Sequence, residues 1–144
     1  MGGMTFQRYM WILFFIIGIG LAVFAYDNIV VIPALDPADP ERGWQWLSVD
    51  PEVIDYIKFW FRNFGFWVLA VSIFVMVIAL TGFRNGERWA WFSMLYLPVH
   101  IGIHAILWPW LAPAILIVVL IMLIGLLVPF RVFFPRGGPI NEVR

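Results

Sequence analysis

The sequence contains no cysteine, which excludes disulfides, thiol redox chemistry, a cysteine nucleophile and thiolate metal sites. Charge is scarce too: charged residues make up 12% of the 144 residues, and nine basic and nine acidic side chains leave a formal net charge of zero. No global basicity therefore indicates nucleic acid as a partner. Hydrophobic residues make up 63% of the chain, against roughly 45–50% in a soluble domain. This composition predicts a membrane protein, with the lipid bilayer as its surroundings.

Four apolar stretches are long enough to cross the bilayer, which takes about 20 residues for roughly 30 Å of hydrocarbon. They run over about residues 9–32, 64–82, 89–111 and 113–134. Only helices suit such runs, because backbone polar groups in lipid must be paired within the segment. Short connections after the second and third spans force neighbouring helices to be antiparallel. The sequence therefore predicts an all-α, membrane-embedded four-helix bundle of up-down-up-down topology, as a single transmembrane domain over residues 1–144.

One long connection, an outer loop and helix extension over residues 33–63, separates the first two spans. It opens with three prolines among acidic residues, which blocks regular helix. Asp50-Pro51-Glu52 then predicts a helix start, with Asp50 as the capping residue. From Pro51 we expect one helix to continue to Gly82.

The basic residues predict the orientation. With both termini on one side, six of the nine lie on that side, so we expect both termini, and the tail at 135–144, to be cytoplasmic. The expected location is the inner (plasma) membrane. Arg8, the apolar run after it and Val23-Phe24-Ala25 resemble a signal peptide, which we interpret as a retained signal anchor.

Five residues share one face of the third span, because they recur at spacings of four, three, four and four. Since polar groups at bilayer depth normally face the bundle interior, we predict that this is the inward face. Two histidines at i and i+4 can ligate one metal, but a complete site needs further ligands, and we assign no metal site. Two interpretations stay open: hydrogen bonding between helices, or a pocket for an apolar ligand. The five residues are Trp89, Ser93, Tyr96, His100 and His104.

A second group of polar residues lies at the turn between the second and third spans. Arg84, Glu87 and Arg88 form an inner-surface charge cluster, which we expect to anchor the hairpin at anionic headgroups.

The stretch from Phe83-Arg84-Asn85-Gly86-Glu87-Arg88 to Trp89-Ala90-Trp91, followed by Leu97-Pro98, resembles a pattern in uncharacterised prokaryotic four-span membrane proteins, the DoxX-like group. The segment from Asp50-Pro51 to Gly65 is similar to what precedes the second span there. The resemblance covers about residues 9–134, with Asn85 inserted after Arg84. It implies an architecture and no settled activity, so no catalytic or binding residue is transferred.

The spans contain no phosphate-binding glycine loop, no Ser-His-Asp set and no paired carboxylates, so we expect no enzymatic activity and assign no catalytic residue. The leading hypothesis is a non-catalytic structural or accessory subunit of a membrane assembly, with a membrane-protein partner or a second copy. The alternative is a binding protein for a quinone, pigment, haem or isoprenoid lipid, in a pocket lined by Ser93, Tyr96, His100 and His104. A transporter or channel component is a weaker third hypothesis, because the predicted spans of this chain contain no buried carboxylate.

Overall fold

The computed structural model describes residues 9–36, 50–107 and 109–135. Six α-helices occur in these ranges, and no strand does, so the all-α prediction is confirmed there. Residues 37–49 of the predicted outer loop, the tail residues 136–144 and Arg8 lie outside the described residues. The helices are α1 (Met10–Tyr26), α2 (Ile32–Ala34), α3 (Pro51–Ile78), α4 (Arg88–Leu107), α5 (Ala112–Leu127) and α6 (Phe130–Phe133).

The first helical run continues past the point where the sequence predicts the outer loop to begin. A π-helical segment, Asp27–Val31, joins α1 to α2, so that Pro33 lies inside a helix. Proline lacks an N–H and its ring clashes with the carbonyl four residues earlier. The wider π turn just before it, in which the Ile32 N–H donates to the Asp27 carbonyl, relieves that clash. The helix therefore ends at Ala34 and not at residue 32.

The second helical run begins where its capping sequence predicts. An Asp50 side-chain oxygen accepts a hydrogen bond of 2.9 Å from the Glu52 N–H, which satisfies a free amide of the first turn of α3. A π-helical segment, Ala79–Phe83, extends α3 to a continuous 33 residues. At 1.5 Å per residue this is about 50 Å, well beyond the hydrocarbon thickness. The expected long helix is confirmed, and its last turn is π-helical.

In the part of the chain that the structure describes, three helical runs are long and apolar enough to span a membrane: Met10–Ala34, Pro51–Phe83 and Arg88–Leu107. Together they indicate a membrane protein. The predicted third span extends to residue 111, but α4 ends at Leu107 and a 3-10 turn, Pro109–Leu111, precedes α5. Helix α5 is apolar but has 16 residues, about 24 Å, so a fourth crossing stays a prediction.

The chain divides into two compact units, one of Met1–Ile16 with Val75–Arg144 and one of Ile17–Phe74. In the second unit, α1 and α3 pack through small residues. The Ser72 hydroxyl donates to the Gly18 carbonyl at 2.8 Å. A Cβ placed on Gly65 would lie 2.9 Å from the Ala25 carbonyl oxygen. The small side chains of this unit therefore serve close helix approach within the chain.

In the first unit, α4 and α5 form the most extensive contact between elements. The two helices run antiparallel, since Trp91 near the start of α4 bonds the Leu126 carbonyl near the end of α5. Farther along, Gly102 faces Val119. This hairpin carries both groups of predicted site residues, on α4 and on the turn before it.

Candidate functional site

The packed face of α4 consists of apolar side chains. Its buried residues are Ala90, Trp91, Met94, Leu97 and Pro98. The Trp91 indole N–H donates a hydrogen bond of 2.9 Å to the Leu126 carbonyl. That carbonyl is one of the last four of α5, which have no partner within the helix. The indole N–H thus pairs a carbonyl at the C-terminal end of α5. Helix α4 itself continues through Pro98 without a break.

The polar stripe of α4, defined as Ser93, Tyr96, His100 and His104, lies beside the packed face and not on it. Ser93 is exposed and Tyr96 is 62% exposed, while His100 and His104 are half-buried. At 100° per residue, the centre of the stripe is about 120° around the helix from the centre of the packed face. The prediction that this is the inward face is wrong. The physical reason is that α5 offers no polar side chain, so apolar residues of α4 pack against it.

Within the stripe, the side chains bond one another and their own helix. The Tyr96 and His100 rings stack with centroids 5.4 Å apart, and the Tyr96 hydroxyl lies 3.3 Å from His100 Nδ1. The His100 and His104 rings meet edge to face at 5.0 Å. His104 Nδ1 lies 3.0 Å from the His100 carbonyl oxygen, to which it donates. This bond fixes the tautomer and leaves the lone pair of a neutral ring on Nε2.

The stripe supplies at most two metal ligands from this part of the chain. In the ranges that the structure describes, no group of three histidine, cysteine or acidic side chains is arranged to hold a metal ion. A single imidazole of the stripe can still serve as an axial ligand of a haem, or as a hydrogen-bonding group for another apolar ligand.

Each charged residue of the cluster at the turn has a neutral partner nearby. The Arg84 guanidinium lies 5.3 Å from the centre of the Trp11 ring. The Trp89 indole donates to the Glu87 carboxylate. Arg88 Nε donates to the Phe133 carbonyl at 3.2 Å. All three charged residues are exposed. Thus the structure brings the cluster to one end of the unit, but within the described chain these three side chains form no ion pair with one another.

A cleft of about 410 Å³ lies beside Arg84 and was not predicted from the sequence. It is formed by the start of α1, the turn after α3 and helix α6. The Asn85-Gly86 turn lies here, with Gly86 at a φ of +74° in the left-handed region that favours glycine. The sequence does not predict that this turn lies next to α6, because that contact joins segments far apart along the chain. The residues lining the cleft are Tyr9, Trp11, Phe83, Arg84, Asn85, Gly86, Val132 and Phe133.

No family model matches the chain, and no curated protein or solved structure is significantly similar to it. The resemblance of the turn sequence around Arg84 to the DoxX-like group therefore stays a prediction.

Proposed function

We propose that the chain is a small, non-catalytic integral membrane protein that acts as an accessory subunit, with the polar stripe of α4 packed against a transmembrane helix of a partner protein. The observation that carries the proposal is the exposure of Ser93 and Tyr96 on a helix apolar enough to span a membrane. Lipid tails offer no hydrogen bonds, so polar groups at this depth face protein or a wet cavity.

The composition of α5, the helix packed against α4, supports a partner for the polar stripe. Helix α5 contains only apolar side chains, so it presents no donor or acceptor to the imidazoles. The hydrogen bonds recorded for Tyr96 and His100 stay within α4. A partner helix that carries serine, threonine, asparagine or glutamine at the stripe would add bonds of about 0.6 kcal/mol each.

In this proposal the chain crosses the inner membrane four times, with both termini cytoplasmic. The supporting observations are three helical runs of sufficient length and the excess of basic residues on the side of the termini. Helix α5 is the shortest of the four proposed spans, because its 16 residues reach about 24 Å. With the 3-10 turn before it, and with the turn at Val128-Pro129 and α6 after it, the segment from Pro109 to Phe133 is long enough for a crossing.

The absence of cysteine allows a direct test, because any introduced thiol is unique. Ser93→Cys places a thiol on the polar stripe. Val99→Cys places one on another exposed face of α4, where the side chain is 57% exposed. Thiol-specific crosslinking in native membranes should give one defined product of constant mass and stoichiometry for Ser93→Cys, and far less product for Val99→Cys.

The crosslinked product must also depend on the chemistry of the stripe. Adding His100→Leu to the Ser93→Cys chain should reduce the yield, while adding Ile106→Leu, on an exposed lipid-facing position, should leave it unchanged. A product at twice the chain mass would make the partner a second copy. Purification as a lone monomer, with no product from either thiol, would refute the accessory-subunit proposal.

The second candidate function is binding of an apolar ligand or cofactor, such as a quinone, pigment, haem or isoprenoid lipid, at the same stripe. It is favoured by the two imidazoles of the stripe, those of His100 and His104, whose ring centroids lie 5.0 Å apart, since a neutral imidazole can ligate a haem or hydrogen-bond an apolar ligand. Native mass and absorption spectra of protein from its own membranes should then show an extra mass or a visible band. If His100→Leu and His104→Leu leave ligand content unchanged, this function is wrong.

A further inference from the structure

The end of the first unit that contains the cleft carries a local excess of positive charge. Arg84 lines the cleft, and Arg88 reaches the same end because it bonds the Phe133 carbonyl. Arg131 lies in α6. Against these three arginines stands one acid, Glu87, among residues 79–88 and 128–135. Arginines concentrated around a cleft attract anions.

Arg84 is the cation best placed to bind an anion there. Its guanidinium lies over the Trp11 ring, which fixes its position and leaves the N–H edge available. The Glu87 carboxylate is hydrogen-bonded to the Trp89 indole. Among the residues that the structure describes, no carboxylate forms an ion pair with Arg84, whose side chain is exposed.

The other lining residues indicate which anion fits. Tyr9 and Trp11 stand at the beginning of the first candidate span, and tyrosine and tryptophan concentrate at headgroup depth. The Tyr9 hydroxyl and the Asn85 amide add neutral hydrogen-bond donors. A volume of about 410 Å³ is within the range of small-ligand pockets.

We propose that this cleft binds the phosphate group of an anionic phospholipid, with Arg84 as its cationic ligand. A planar guanidinium binds phosphate oxygens through two parallel N–H bonds, which a zwitterionic headgroup satisfies less well, because its own cation competes for the phosphate. The inference rests on the membrane insertion set out under Proposed function, but not on the partner at the polar stripe.

The test uses the full chain purified in detergent and native mass spectrometry with added lipid. Phosphatidylglycerol and phosphatidylcholine with identical acyl chains are compared at equal concentration. We expect one phosphatidylglycerol retained per chain in preference to phosphatidylcholine. Arg84→Gln should lower its affinity about tenfold, the effect of losing one charge-assisted hydrogen-bonding group. Arg131→Gln removes the same charge at an exposed site outside the cleft and should change affinity less than twofold.

Three outcomes would overturn the proposal. Equal losses for Arg84→Gln and Arg131→Gln would indicate unspecific attraction to the whole basic end. Equal retention of the two lipids would remove the selectivity for net negative charge. Binding of inorganic phosphate without retention of phosphatidylglycerol would make the ligand a free phosphate.

A folding defect is controlled by Arg84→Lys and by circular dichroism. Arg84→Lys keeps the charge without the planar fork, and it should retain more lipid than Arg84→Gln while all variants keep the same helical spectrum. Crosslinking at Ser93→Cys is read separately, in native membranes that contain each Arg84 variant. If lipid retention is lost while the crosslinked product persists, the lipid site fails and the accessory-subunit proposal stands.

Discussion

The hydrogen bond from Trp91 to the Leu126 carbonyl offers a sharp test of how the α4–α5 hairpin is stabilised. The indole is 9% exposed and donates at 2.9 Å. The acceptor is among the last four carbonyls of α5, which have no helical partner. Replacing Trp91 with benzothienylalanine keeps the bicyclic shape and removes only the N–H. Trp91→Phe removes the N–H and also part of the ring.

The expected magnitudes follow from the environment of the indole. Side-chain hydrogen bonds in membrane proteins contribute about 0.6 kcal/mol on average and up to about 1.7 kcal/mol. The benzothienylalanine variant should lose an amount in that range. Trp91→Phe should lose about 2 kcal/mol, because it also weakens edge contacts with three rings, those of Phe92, Phe130 and Phe134, at centroid distances of 5.3, 5.6 and 5.5 Å.

The free energy of unfolding is measured in mixed micelles by titration with a denaturing detergent, with helicity read by circular dichroism. Trp67→Phe is the matched control. Trp67 is 69% exposed and forms no hydrogen bond or ring contact within the described residues, so its loss should cost under about 0.5 kcal/mol. A benzothienylalanine variant as stable as the wild type would refute the role of the N–H. Equal losses for Trp91→Phe and Trp67→Phe would refute the packing argument.

The same titration tests three further sites. Gly125→Leu should destabilise the chain by about 1–3 kcal/mol, because a Cβ there would lie 2.7 Å from a leucine side chain of α1; Gly20→Leu, where no atom lies within 4 Å, should cost little. Ser72→Ala should lose about 1 kcal/mol with the buried bond between α1 and α3, and no loss would contradict that bond. Gly86→Ala should cost about 1–2 kcal/mol, because φ is +74°, and an unchanged stability would mean that the turn relaxes.

The parts of the fold that were predicted from the sequence depend on neighbouring residues. Asp50 caps α3 through the amide two residues later, and Asn85-Gly86 turns the chain through a positive φ at the glycine. Both signals act over a few residues. The two π-helical segments were not predicted from the sequence. The segment Asp27–Val31 depends on relieving the clash of the Pro33 ring with the preceding turn. The other, Ala79–Phe83, contains Gly82, where a Cβ would lie 2.8 Å from the Ala90 side chain of the next helix.

The candidate site shows what residue spacing does not determine. Regular spacing correctly places His100 and His104 on one side of α4, because spacing determines which residues share a face. Which face is buried depends on the neighbouring helix, and the rule that polar groups face inward assumes that this neighbour offers hydrogen bonds.

Helix α5 violates that assumption, because it carries no side chain that can donate or accept. An imidazole packed against it would gain no hydrogen bond, whereas the buried Met94 and Leu97 gain dispersion contacts. The histidines therefore lie beside the packed face and bond their own helix. The same lack of polar side chains on α5 that makes the inward prediction wrong also supports the proposed partner, because in a bilayer the exposed Ser93 and Tyr96 would be stabilised by polar groups of another molecule.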